Sequence, residues 1–173
     1  MATLDLKKFI RDIPDFPKPG ILFKDVTTLL QDKKALKASV DLLARQFAKK
    51  GVKYVVGIES RGFIFGTALA YKLGVGFIPV RNKGKLPAKT RSVTYDLEYG
   101  TDTLEIHADA LKKGDKVLII DDLLATGGTV DAVVKLVSDS GAKIAGVGFI
   151  IELTFLNGRD RLKGLPVFAA IKY

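Results

Sequence analysis

The chain contains no cysteine and no tryptophan, a single histidine and a single methionine. Without cysteine there is no disulfide, no thiol nucleophile and no thiolate metal site, and His107 alone makes no histidine cluster for zinc. Any bound metal must be held by oxygen, for which magnesium is the expected ion. No apolar run is long enough to span a membrane, and the opening M-A-T-L-D-L-K-K-F-I lacks the apolar stretch of a signal peptide. A soluble, cytoplasmic protein that does not engage membranes is expected. Neither G-x-x-x-x-G-K-[ST] nor G-x-G-x-x-G occurs, which weakens a nucleoside-triphosphatase reading.

What is present is an ordinary globular composition. The 173 residues are 47% hydrophobic and 27% charged, enough for one domain with a sizeable core, and no repeat, low-complexity tract or linker divides them. Lysine and arginine outnumber acids 28 to 19, and the resulting charge of +9 calls for an anionic partner, either a small ligand or nucleic acid. Five of the basic residues, Arg81, Lys83, Lys85, Lys89 and Arg91, fall within residues 81–91 with no acid among them, and Gly84 and Pro87 interrupt any helix there. A basic, mobile loop is expected. The charges of residues 32–50 read as the solvated face of a helix.

Apolar spacing gives alternating elements. A short helix is expected over residues 4–13, followed by an extended segment imposed by Pro14, Pro17, Pro19 and Gly20. Leu36, Val40, Leu43 and Phe47 share one face of a helix over 33–50, with Gly51 as its stop. Strands are expected at 53–59, 75–80, 116–121 and 143–151, and further helices at 63–73 and 129–140. This alternation predicts an α/β fold with a central, mostly parallel sheet covered by helices on both faces. Residues 91–107 alternate more strictly and predict an antiparallel excursion.

The most informative segment is V-L-I-I-D-D-L-L-A-T-G-G-T, residues 117–129. Its four leading apolar residues suit a strand buried on both faces, and Val130, Val133, Val134 and Val137 continue it as an amphipathic helix. Unpaired N–H groups at that helix start can surround a phosphate, with Thr126 and Thr129 adding hydroxyl donors. Asp121 and Asp122 would repel the same phosphate, so they suit a polyol such as ribose, with or without a divalent cation nearby. A sugar phosphate satisfies both halves. In open α/β sheets ligands bind beyond the carboxyl ends of strands, where Glu59, Ser60, Arg61, Gly62 and Arg81 also fall. Arg61, between a strand and an apolar helix, suits an anion contact; the alternative is an ordinary helix-start arginine paired to a nearby acid.

The apolar strand, two acids and A-T-G-G-T resemble the donor-binding signature of the type I phosphoribosyltransferases. P-D-F-P-K-P-G-I-L-F-K-D at 14–25, E-S-R-G-F at 59–63, G-K-L-P at 84–87 and Y-D-L-E-Y-G at 95–100 extend the likeness through most of the chain, towards members of that family that use adenine. The resemblance implies a single-domain fold over 1–173, with a base-binding segment at about 14–30 and a flexible lid at about 81–103. It implies that Asp121 and Asp122 hold the ribose hydroxyls and that Ala125, Thr126, Gly127, Gly128 and Thr129 form the 5-phosphate loop. Glu59, Ser60 and Arg61 then belong to a pyrophosphate loop carrying a non-proline cis peptide, with Arg81 and Lys85 as further pyrophosphate contacts. Glu98 is implied as the acid/base group acting on the purine imidazole, and Tyr99 shapes the closed lid. Leu22, Phe23 and Lys24 are implied for adenine: the Phe23 ring can stack on a purine, worth ~1–3 kcal/mol by analogy with base stacking, and backbone groups around Leu22 can pair with the base edge. Many members carry arginine where this chain has Lys24, which keeps the charge and loses the planar fork. Such enzymes are homodimers, and Arg81 could serve either subunit.

The expected activity is magnesium-dependent transfer of phosphoribosyl to adenine, giving AMP and pyrophosphate, with small molecules and not nucleic acid as partners. Two alternatives stay open: an enzyme for guanine, hypoxanthine or xanthine, and a nucleic-acid-binding regulator responsive to phosphoribosyl pyrophosphate. The regulator would need a reading module, yet the segment before Pro14 is too short for a helix-turn-helix and no zinc-finger spacing exists. His107 receives no role, and the turn around Asn157, Gly158, Arg159, Asp160 and Arg161 is expected to be solvated.

Overall fold

The computed structural model describes residues 4–96 and 100–173. At its centre is the strand that the sequence singles out, here β7 (Lys116–Leu124). Side chains alternate across a strand, so Val117 and Ile119 enter one core while Leu118 and Ile120 enter the other, all four without solvent contact. The first core is closed by α4 (Gly128–Asp139) through Val130, Val133 and Val137. The second is closed by α2 (Lys33–Phe47) and α3 (Arg61–Leu73), through Leu43, Phe47, Phe65 and Leu69. The Asp32 carboxylate caps α2 by accepting from the N–H groups of Lys34 and Ala35, both at 2.8 Å.

On one side of β7 lie β3 (Tyr54–Ile58) and β4 (Gly76–Asn82); on the other lie β8 (Lys143–Glu152) and β9 (Val167–Lys172), all parallel. The expected antiparallel excursion is present as β5 (Thr90–Asp96) and β6 (Thr101–His107), which extend the β4 edge to give the order β5-β6-β4-β3-β7-β8-β9. The mostly parallel sheet with helices on both faces is therefore as the sequence predicts.

Four differences matter. The helix expected over 4–13 is only a 3-10 turn at Leu6–Phe9, after which β1 (Arg11–Ile13) pairs antiparallel with β2 (Phe23–Asp25) as a small separate sheet. The Pro/Gly-rich segment between them is a closed loop, tied by Phe16 N–H to the Ile21 carbonyl and by Gly20 N–H to Asp15, with a cis Phe16–Pro17 bond. The short helix α1 (Thr27–Gln31) and strand β9 have no counterpart in the apolar spacing. Finally, β7 runs past the two acids to Leu124, because β8 continues alongside it to Glu152 whereas β3 stops pairing at Ile120. Asp121 and Asp122 thus stand on a strand overhang, beside the gap where β3 has already turned away.

The β1–β2 pair is pinned by Asp25, which is buried, accepts from Arg11 Nη2 at 2.6 Å and caps the Thr27 N–H at 2.9 Å. The Thr27 N–H is the main cause holding this carboxyl down at about 2; burial opposes it, and Arg11 and the Thr27 hydroxyl reinforce it. A depressed carboxyl contributes stability that is complete above its ordinary value of 3.8 and is lost as pH falls towards 2. The expected contribution is about 2 kcal/mol. Urea unfolding of wild type and Asp25→Asn should differ by that amount at neutral pH and converge in strong acid; a difference independent of pH would refute the assignment.

Candidate active site

Two turns at the carboxyl edge of the sheet build the site. β3 leads through Glu59 and Ser60, joined by a cis peptide, into α3. β7 leads through Ala125, Thr126 and Gly127 into α4, with Gly127 at φ 86°, a left-handed conformation suited to glycine. Neither N-cap residue, Ser60 or Gly127, caps its helix with a side chain, which leaves amide donors open to a ligand. Both turns and the β7 overhang line one cleft of about 420 Å³, from Glu59, Ser60 and Arg61 across Asp121 and Asp122 to Thr129 and Val130.

Two glycines allow the parts to close on one another. A Cβ on Gly62 would lie 2.9 Å from Asp121 Oδ1 and 3.0 Å from the Ile120 carbonyl oxygen, so only glycine lets the first turn of α3 reach β7. A Cβ on Gly158 would lie 2.1 Å from the Ala125 carbonyl oxygen and 3.0 Å from Gly127 N. Gly158 therefore supports the 125–127 loop from behind. The adjoining Arg159 donates through Nε at 2.8 Å to Glu152 and through Nη1 at 3.0 Å to the Val167 carbonyl. Asn157, Asp160 and Arg161 are exposed, as expected of a solvated turn that starts a short helix, but the turn is also a buttress: Gly158 is buried, and Glu152 is 4% exposed. Its sequence signal was only the Asn157-Gly158 pair, which marks a turn without saying what packs on it.

The charges are arranged as acid–base pairs. Glu59 accepts from Arg81 Nε at 2.8 Å, Lys85 Nζ at 2.9 Å and Asn82 N–H at 2.9 Å. Burial pushes its pKa up, but Lys85, the Asn82 amide and Arg81 outweigh that and leave it below the usual carboxylate range. Arg61 Nε lies 2.6 Å from Asp122 Oδ2, so the helix-start pairing with a nearby acid is present. Burial, then the neighbouring Asp122 carboxylate, push Asp121 well above the ordinary range. The charged form of Asp121 is thereby disfavoured.

The expected donor-site residues Glu59, Ser60, Arg61, Asp121, Asp122, Ala125, Thr126, Gly127, Gly128 and Thr129 all line the same cleft. Arg81 and Lys85 reach it through Glu59. Phe23 is linked to it by the Arg61 guanidinium, 5.3 Å from the Phe23 ring centre, and Phe16 packs edge-on to the same ring at 5.1 Å. Leu22 is half exposed beside it. The Lys24 side chain is not brought to the cleft: β2 points it to the opposite face from Phe23, where its Nζ lies 2.6 Å from Asp12. Glu98 and Tyr99 lie outside the described residues. Tyr95, given no role from sequence, places its hydroxyl 3.3 Å from Thr129 Oγ1 at the phosphate turn. The basic stretch lies over β6, with Lys83 N–H on the Thr103 carbonyl and Gly84 N–H on Glu105.

A family model described as a phosphoribosyl transferase domain matches residues 25–162. The chain belongs to the phosphoribosyltransferase family. It is 59% identical to the adenine phosphoribosyltransferase of Trichormus variabilis over 98% of this chain and 100% of that one. The crystal structure of the adenine phosphoribosyltransferase from Thermoanaerobacter pseudethanolicus superposes with a TM-score of 0.94 at 52% identity, covering 97% of this chain and 98% of that one. That of the Saccharomyces cerevisiae enzyme, complexed with an imino-altritol bisphosphate and adenine, gives 0.90 at 41% identity, covering 95% and 96%.

A phosphoribosyltransferase must hold a polyanionic sugar, and this donor set suits a cation brought in by that sugar. No group of three or more His, Asp or Glu side chains converges among the described residues, and Asp122 is already engaged by Arg61. Oxygen ligands would come chiefly from substrate and water. The buttress can be tested separately. Gly158→Ala should displace the 125–127 backbone and weaken ribose 5-phosphate binding roughly tenfold, about 1.4 kcal/mol, by calorimetry. Unchanged affinity in a folded variant would separate the loop from its support.

Proposed function

We propose that the protein transfers the 5-phosphoribosyl group of phosphoribosyl pyrophosphate to N9 of adenine, producing AMP and pyrophosphate in purine salvage. The observation that carries this reading is one cleft combining two open helix starts and an aspartate pair with the Phe23 ring alongside, in a chain 59% identical end to end to an adenine phosphoribosyltransferase. The 5-phosphate sits on the amides and hydroxyls of Ala125, Thr126, Gly127, Gly128 and Thr129, while Asp121 and Asp122 take the ribose hydroxyls. Pyrophosphate lies against Ser60 and Arg61, and adenine stacks on Phe23.

The bond from ribose C1 to the pyrophosphate oxygen breaks, its electron pair leaving with pyrophosphate, and the N9 lone pair forms the new bond to C1. Positive charge grows on the ribose and negative charge on the leaving group, so electrostatic stabilisation dominates. Arg81 and Lys85 exchange Glu59 for the departing phosphates, alongside Arg61. Magnesium, held mainly by substrate and water since no cluster of acids converges among the described residues, would supply further positive charge there. Glu98 accepts the proton released from the purine imidazole, and Tyr99 closes the lid, residues 81–103, to exclude water from the reactive sugar. Residues 14–30 form the base-binding segment. The working form is a cytoplasmic homodimer. Among the described residues no helix is long and apolar enough to cross a membrane.

A panel of adenine, guanine, hypoxanthine and xanthine with phosphoribosyl pyrophosphate and magnesium should yield product with adenine alone. Turnover of another purine would reassign the acceptor, and absence of turnover with salt-sensitive DNA binding would favour a regulator. Glu98→Gln should lower kcat about 100-fold or more while changing adenine affinity little; undiminished turnover would remove Glu98 from its role. Asp121→Asn combined with Asp122→Asn should raise KM for phosphoribosyl pyrophosphate and spare KM for adenine.

A further inference from the structure

The base platform is carried by a very small element. β1 and β2 share three residue pairs and, among the described residues, join no other strand, and a hairpin of that size is marginal in water by itself. The orientation of Phe23 therefore depends on what grips the hairpin from either face. On the Phe23 face, Arg61 approaches from the donor site. On the opposite face Lys24 stands directly across from Asp12, and its Nζ lies 2.6 Å from that carboxylate and 4.0 Å from the centre of the Tyr173 ring. The Lys24 side chain is only 9% exposed. Lys7 Nζ approaches the same ring at 5.0 Å, from the 3-10 turn ahead of β1.

Tyr173 is itself fixed to the main sheet. Its N–H donates to the Glu152 carbonyl at 3.0 Å, and its backbone oxygen accepts from the Thr154 N–H at 2.9 Å and from the Thr154 hydroxyl. Burial first, then the Asp12 and Asp5 carboxylates, push the phenol upward, so the ring stays neutral where the enzyme works. A desolvated ammonium over a neutral aromatic face is attracted by the negative face of the ring. The hairpin is thus held on one face by the donor site and on the other by an aromatic ring anchored beside β8 and β9.

We propose that Tyr173 is a positioning residue for the purine, clamping Lys24 so that the adjacent Phe23 ring is presented to the base. Resting on Phe23 as the purine platform, this gives Tyr173 control over affinity for the acceptor base and none over the donor. Tyr173→Leu should raise KM for adenine roughly tenfold while leaving KM for phosphoribosyl pyrophosphate and kcat at saturating adenine within about twofold. Tyr173→Phe, which keeps the ring, should restore the wild-type value. Lys24→Met should reproduce the Tyr173→Leu effect, and the double variant should be no worse than either single one. An unchanged adenine KM, a parallel rise in both KM values, or additive single effects would overturn the proposal. Should Tyr173→Leu fail to fold, the two KM values of Lys24→Met decide: a rise for adenine alone supports the proposal, and no change or a parallel rise overturns it. Failure of wild type to use adenine would instead refute the assigned reaction.

Discussion

The structure depends on burial of β7 on both faces. A strand whose successive side chains enter separate cores must be covered on each side, here by α4 against Val117 and Ile119, and by α2 and α3 against Leu118 and Ile120. Parallel strands are connected by crossovers, so α3 and α4 both start where their preceding strands end, at one edge of the sheet. Two uncapped helix starts are thereby brought to one cleft by the same requirement that closes the core. The unequal pairing of β7, to Ile120 on the β3 side and to Leu124 on the β8 side, opens the gap between them and leaves Asp121 and Asp122 on its wall.

That edge would be strongly cationic if Arg61, Arg81 and Lys85 stood alone, yet each is paired with an acid. Glu59 takes Arg81 and Lys85, and Asp122 takes Arg61. These pairs hold the cations within reach of the cleft, so binding a polyanion exchanges one set of oxygen partners for another. Exchange costs less than ordering free lysine and arginine side chains, whose rotamer entropy is considerable. Asp121 is different. It has no cation of its own as close as Arg61 is to Asp122, and its raised pKa reflects burial beside a second carboxylate. A diol suits such a group, since its hydroxyls can donate to a buried carboxyl that is already crowded by a second one.

Local pattern made the sheet legible. Continuous apolar runs marked β3, β7 and β8, spacing at i, i+3, i+4 and i+7 marked α4, and alternation over residues 91–107 marked the β5–β6 excursion. The donor half of the site was readable because its chemistry is contiguous: two acids, a glycine turn and a helix start lie within 13 residues of sequence. Where sequence reading fell short, distant segments meet. β1 and β2 each have three residues and are helix-compatible or proline-bound in isolation; only their pairing makes them strands. Gly158 looked like a turn because nothing in its neighbours names the Ala125 carbonyl. Lys24 was grouped with the base site by adjacency to Phe23, although strand geometry sends neighbouring side chains to opposite faces.

The two halves of the cleft therefore rest on different physics. The donor half is made largely of backbone: helix-start amides, a positive-φ glycine, and glycines that permit close approach. Such groups can be moved only by moving the sheet, and the ligand proposed for them, a phosphate on a sugar, is recognised by any correctly placed N–H. The acceptor half is made of side chains borrowed from Phe16, Phe23 and Arg61 on one face, and from Asp12, Lys24 and Tyr173 on the other. Ring orientation there is set by contacts between segments at opposite ends of the chain. Selectivity for the base can consequently be altered through the hairpin while the sugar-phosphate grip, anchored in β7, stays as it is.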